Sequence, residues 1–157
     1  MSIAVEIALG YEFGVRAPFA EVYGVLADVS ESVSHFPKVR ALVPMGRGVY
    51  RWEMERVGTE HIHIQTVYAC QYRSSKAKGT VVWTPVPDVG NAQVSGSWTI
   101  VDRQTHRELP LDISGTLHID LPAVMKPVVL AVVQAEFEHL VETYIDNLIE
   151  RFGGEVE

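Results

Sequence analysis

The chain has 157 residues, 47% hydrophobic and 21% charged, a size and balance that suit one folded domain (1–157) with a real core and exclude a disordered or fibrous chain. Its net charge of −7 speaks against nucleic acid and anionic membrane surfaces as partners, since both need clustered Lys and Arg to meet phosphates. Cys70, the single cysteine, leaves no partner for an internal disulfide and reads as a small buried hydrophobe, which suits a reducing cytoplasm.

The opening MSIAVEIALG has no basic stretch and is interrupted by Glu6, so no signal peptide is read there. Nowhere do about 18 apolar residues run together, so no integral membrane association is expected. Ile3, Val5, Ile7, Leu9, Tyr11, Phe13 and Val15 occupy every second position, the period of a strand with one buried face. Gly10 and Gly14 within it suit a bend or bulge in a curling sheet.

Pro18 then opens a short amphipathic helix carrying Phe19, Val22, Tyr23 and Leu26 on one stripe. A second short helix is expected with Ser30 as its N-cap and Val33 and Phe36 facing inward, stopped by Pro37. From Val39 to Leu121, six strands are read at about 39–45, 48–57, 60–71, 79–87, 92–102 and 107–121, separated by turn compositions such as Gly46 to Gly48 and Pro87 to Asn91. Connections this short make successive antiparallel hairpins. Pro122 introduces a long terminal helix of roughly 30 residues, about 45 Å at 1.5 Å per residue. Met125, Val128, Val129, Val132, Val133, Phe137, Leu140, Val141, Tyr144 and Leu148 form its apolar side, and Gly153-Gly154 closes it.

One strand, two small helices, six antiparallel strands and a long helix is the element order of the helix-grip fold. The words PFAEVYGVLADVSESVSHFP, followed by KVRALVPMGRGVYRWEME, resemble the opening of the START/SRPBCC superfamily. The resemblance runs over residues 3–152 and points to its birch-pollen-allergen-like, polyketide cyclase/dehydratase and coenzyme Q-binding branches. It implies an α+β fold in which a seven-stranded curved antiparallel sheet holds the long helix across its concave face. A helix about 10 Å wide cannot fill the hollow of a strongly curved sheet, so a cavity is expected between them.

Strand alternation sorts an apolar inner face from a polar outer one. Tyr50, Trp52, Met54, Ile64, Tyr68, Trp83, Trp98 and Ile113 from the strands, with Val133, Phe137 and Tyr144 from the long helix, are the candidate ligand contacts. Gly96 and Gly115 are expected to leave room beside Trp98 or to let the helix approach. Arg56 and Glu136 are the candidate polar residues of the cavity, as a possible pair or as a group that orients a ligand hydroxyl. His61 and His63 share a strand face and pass the first test for zinc, but two ligands are too few and they read as a polar surface.

No catalytic set, metal or cofactor is called from these residues. The leading expectation is a protein that binds a small hydrophobic molecule such as a lipid, an isoprenoid quinone or a polyketide-like aromatic, and Trp and Tyr make good walls for such a ligand. A cyclase- or dehydratase-type enzyme, and an interaction module with a vestigial cavity, are the alternatives that the resemblance leaves open. An open pocket of several hundred Å³ favours binding, and a filled hollow with an exposed apolar patch favours interaction.

Overall fold

In the computed structural model, which describes residues 3–58 and 63–156, the chain begins with the expected long strand, β1 (Ile3–Val15). Helix α1 (Phe19–Ala27) follows, then α2 (Val29–Val33). The cap between them differs from the sequence expectation. Asp28, not Ser30, caps α2, its carboxylate accepting from the Glu31 N–H at 3.2 Å. Because Asp28 also ends α1, a single residue outside the helical region closes one helix and starts the next.

The strands then run as β2 (Val39–Gly46), β3 (Val49–Met54), β4 (Val57–Gly58), β5 (His63–Ile64), β6 (Val67–Ser75), β7 (Thr80–Pro85), β8 (Ala92–Thr99), β9 (Val101–Asp102) and β10 (Arg107–Ile119). The main sheet is antiparallel and curved, with seven strands in the order β1-β10-β8-β7-β6-β3-β2 and β9 as a short extension against β10. The β4–β5 pair stands apart as a two-stranded piece. The expected strands 48–57 and 60–71 are therefore each broken. The first leaves the sheet at Met54, and the second rejoins it only at Val67 but continues to Ser75.

Strand β1 pairs with β10 along its whole length, from Ile3 opposite Ile119 to Val15 opposite Arg107. That pairing carries the first strand across to the end of the sheet, so the two short helices bridge from β1 at one edge to β2 at the other. After Asp120 one 3₁₀ turn (Ala123–Met125) leads into α3 (Lys126–Arg151). Its 26 residues make a rod of about 39 Å, shorter than expected. The reason is Pro127, which fits the first turn but would clash with the carbonyl of Ala123 if the helix began at Pro122.

The buried stripe of α3 runs from Val129 through Val133, Leu140, Val141, Tyr144 and Leu148, while Val128 stays exposed. Leu148 and Val141 are fully buried, and each such side chain contributes about 1.5–3 kcal/mol. Gly154 closes the helix by donating to the Ile149 carbonyl at 2.9 Å with φ of 113°. The chain then returns to β1, where Val156 N–H bonds the Gly14 carbonyl.

All three tryptophans are buried on the sheet face that meets α3. Gly96 makes room for Trp83 and not, as expected, for Trp98. It lies directly opposite Trp83 across β7 and β8, and a Cβ there would come within 2.4 Å of the indole and 2.5 Å of the Asp112 carbonyl. Gly115 packs against Gln93 and Val94 on the neighbouring strand and not against the helix. Gly96→Ala is therefore expected to cost at least 1–3 kcal/mol, read as a lower urea midpoint, because indole and backbone cannot both yield. Gly24→Ala on α1, where a Cβ meets nothing within 4 Å, should instead leave stability unchanged or raise it by up to about 1 kcal/mol. Equal midpoints for the two variants would contradict this account.

Candidate functional site

Three small cavities lie between α3 and the concave face of the sheet. Their volumes are about 50, 30 and 10 Å³, enough in the first for a few waters and far below the several hundred Å³ of an open ligand pocket. Rings fill most of the hollow. Trp52 stacks on Tyr68 with centroids 5.4 Å apart, and Phe36 meets Trp52 edge-on at 5.4 Å and Tyr144 at 5.1 Å. Trp98 stands 6.0 Å from Tyr144, and Tyr72 lies 5.8 Å from Trp83. These rings, with Ser32 and flanking aliphatics, wall the largest cavity.

The second cavity sits beyond Phe36 and Tyr68, bordered by Met54, Ile64, Val133 and Leu140, and the third lies over Ile7 and Val94. Phe137 is the one side chain of α3 that borders all three. Phe36 and Tyr68 also stand between the first and second cavities, and Thr66 and Leu117 between the second and third. A larger cleft of about 380 Å³ lies elsewhere, between α2 and β2, and is open to solvent.

Polar atoms inside the aromatic wall pair with one another. Ser32 Oγ and the Tyr144 hydroxyl are 2.5 Å apart, and Trp98 Nε1 donates to the same hydroxyl at 3.2 Å. Trp52 Nε1 donates to the Tyr72 hydroxyl at 2.9 Å. At the rim of the second cavity Lys38 Nζ meets Glu136 Oε1 at 2.7 Å, tying the chain after α2 to α3. That pair is partly exposed and contributes at most about 1 kcal/mol.

No family model matches the chain, and no curated protein matches its sequence. Solved structures do match its shape. The Zhui aromatase/cyclase from Streptomyces sp. R1128 aligns with a TM-score of 0.68 at 14% identity, covering 95% of this chain and 99% of that one. A START superfamily protein from Mycobacterium smegmatis aligns at 0.65 and 12% identity, over 92% and 96% of the two chains. The ginseng major latex-like protein 151 from Panax ginseng aligns at 0.62 and 8% identity, over 95% and 99%. This chain has the helix-grip fold of the START/SRPBCC superfamily.

Within this helix-grip chain, Trp52, Tyr68, Trp83, Trp98, Ile113, Phe137 and Tyr144 come together around the largest cavity. Met54, Ile64 and Val133 border the second with Glu136. Two candidates lie elsewhere. Tyr50 borders none of the three cavities and instead packs edge-on against Tyr72, 5.8 Å away. Arg56 is exposed past the end of β3, and Lys38 takes the place beside Glu136 expected for it. Gly58 is followed by a segment outside the described residues, so the expectation for His61 falls outside them. Among the described residues no group of three or more His, Cys, Asp or Glu is placed to hold a metal ion, and no helix is long and apolar enough to cross a membrane.

Ser32 and Tyr72 are cavity residues that the sequence reading missed. Val29, Ser32, Val33 and Phe36 follow helical spacing, which would have put Ser32 on the inner stripe of α2. Tyr72 continues the alternation of Tyr68 and Cys70, and ending the strand at 71 hid it.

Burial pushes the Tyr68 and Tyr72 phenols well up and raises that of Tyr144, and it lifts the Cys70 thiol to about 12. All four groups are thus held protonated near neutrality. Cys70 donates to the Val94 carbonyl at 3.2 Å and is no thiolate nucleophile. It should resist iodoacetamide in the folded protein at mildly alkaline pH and react once urea unfolds the chain; rapid native alkylation would contradict its burial. For the tyrosines the folded pKa lies above the unfolded value of about 10. Their contribution to stability is then fully present below that pH and is lost as pH rises above it. The urea midpoint should fall with pH only above about 10, with tyrosinate absorbance growing in step, and a flat midpoint through that range would be inconsistent with the buried phenols.

Proposed function

We propose that this chain binds a small, largely apolar molecule between the sheet and α3, with Trp52, Tyr68, Trp83, Trp98, Phe137 and Tyr144 as its principal contacts. The observation that carries this reading is a shared wall: three neighbouring cavities, the first of them walled by rings, all border Phe137. A ligand that turns this one side chain aside gains room beside all three. Aromatic walls with a few hydroxyls favour a ring-bearing molecule with some oxygen, such as an isoprenoid quinone or a polyketide-like aromatic, over a saturated lipid. The fold it shares with an aromatase/cyclase and a START superfamily protein agrees with such a role, though likeness at these identities extends to shape alone.

Binding suits the residues of the largest cavity better than proton transfer does. Its polar side chains are Ser32 and three tyrosines, and phenols raised by burial are poor bases near neutrality. These hydroxyls can orient a ligand by hydrogen bonds. One observation favours a second reading, that of an interaction module: the hollow is nearly full, and Val124 and Val128 expose apolar surface at the start of α3.

Phe137→Ala separates the two readings. A fully buried Phe→Ala costs about 3–5 kcal/mol, so the half-buried Phe137 should cost about 2 kcal/mol, read from the urea midpoint. The variant should also bind the neutral dye N-phenyl-1-naphthylamine several-fold more tightly than the wild type, with quenching of tryptophan fluorescence. Native mass spectrometry of the freshly purified wild type should show a bound apolar compound. A dye that binds neither protein, together with a bare mass spectrum, would reject the binding reading.

A further inference from the structure

The hydrogen bonds inside the aromatic wall leave donor protons unspent. Ser32, Tyr144 and Trp98 each carry one donor proton, and two hydrogen bonds join them. One proton of this group therefore stays unused whichever way the hydroxyls turn. If Tyr144 donates to Ser32, the Ser32 proton is left; if Ser32 donates to Tyr144, the Tyr144 proton is left. Tyr72 accepts from Trp52, so its own proton is also free of that bond. Tyr68 is 5% exposed, and among the described residues its hydroxyl has no hydrogen-bond partner.

The residues that carry these hydroxyls all line the same cavity. Among the described residues no carboxylate, imidazole or amide side chain borders it to take the protons up. At the second cavity, which Lys38, Glu55 and Glu136 border, Lys38 and Glu136 pair with each other at 2.7 Å. A donor left without an acceptor when a ligand displaces water from the cavity costs about 1–3 kcal/mol, and a ligand that supplies the acceptor avoids that cost.

We infer that the cavity selects an uncharged ligand bearing at least one carbonyl-type acceptor oxygen, seated on the spare proton of the Ser32–Tyr144–Trp98 group, with Tyr68 and Tyr72 offering donors to a second oxygen. An anionic ligand is disfavoured, because among the described residues that border the first two cavities the one cation, Lys38, is already paired with Glu136. A pure hydrocarbon of the same shape would leave the donors unpaired. This inference rests on the binding reading above and adds the chemistry of the ligand's polar end.

The probes are 1-indanone and indane, which differ by one carbonyl on the same bicyclic frame. Each is titrated into the full-length protein, with affinity read from tryptophan fluorescence and the carbonyl stretch of bound indanone read by infrared spectroscopy. Indanone is expected to bind at least tenfold more tightly than indane, and its stretch should shift to lower frequency than in cyclohexane. Ser32→Ala leaves the spare proton on Tyr144 and should keep that preference, whereas the double variant Ser32→Ala/Tyr144→Phe, which removes both hydroxyls and leaves only the Trp98 N–H, should reduce it and move the stretch back toward its cyclohexane value, while indane affinity stays within about twofold. Melting curves confirm that the variants are folded, and Tyr68→Phe, which breaks no observed hydrogen bond, serves as a companion variant for the second donor position.

Equal affinity for the two probes, or a stretch that neither shifts on binding nor responds to the variants, would overturn the donor inference and leave the apolar binding reading standing. Failure of both probes to bind wild type and Phe137→Ala alike would overturn both.

Discussion

The spacing between the curved sheet and the straight helix α3 is held open by aromatic rings. Trp52, Tyr68, Trp98 and Tyr144, with Phe36 beneath α2, stand in contact across that gap, and the aliphatic core packs around them. Side chains of this size keep the helix from settling onto the strands. Their fixed shapes cannot tile the gap completely, which is why small voids persist in an otherwise close-packed interior. Gly96 belongs to the same arrangement, since only a missing Cβ lets the Trp83 indole lie against β8.

Rings with polar atoms bring a second constraint, because each buried N–H or O–H needs a partner. The Ser32–Tyr144–Trp98 group meets part of that need and links α2, α3 and β8 at one point. The two ends of α3 are held differently as a result. Its C-terminal half is pinned by Tyr144, Leu148 and the return of the chain to β1, whereas its N-terminal half carries exposed Val128, follows a turn with exposed Val124 and holds the partly exposed Glu136 of the Lys38–Glu136 pair. Phe137 and the second and third cavities lie toward that more weakly held half.

Solved structures share this architecture at 8–14% identity, so what is common is the layering of strand, helices, sheet and rod, not a set of side chains. Such a fold provides a hollow by geometry. What fills the hollow, and which polar atoms remain in it, belongs to each sequence. Here the filling is nearly complete, and the remaining polar atoms are hydroxyl and indole donors.

The order of elements, the inner and outer faces of the strands and the inward position of all three tryptophans were legible in the sequence, because period-2 and period-3.6 patterning is a local property of the chain. Boundaries were less legible where a single residue decides them, as at Asp28 between the two helices and Pro127 at the start of α3. Only the tertiary structure decided that Lys38 and not Arg56 meets Glu136, that Gly96 serves Trp83, that Tyr50 lies away from the cavities and that Phe137 borders all three. Each of these depends on the distance between residues far apart in the chain, and that distance is set by strand order, sheet curvature and the seating of the helix, none of which is encoded within a local window of sequence.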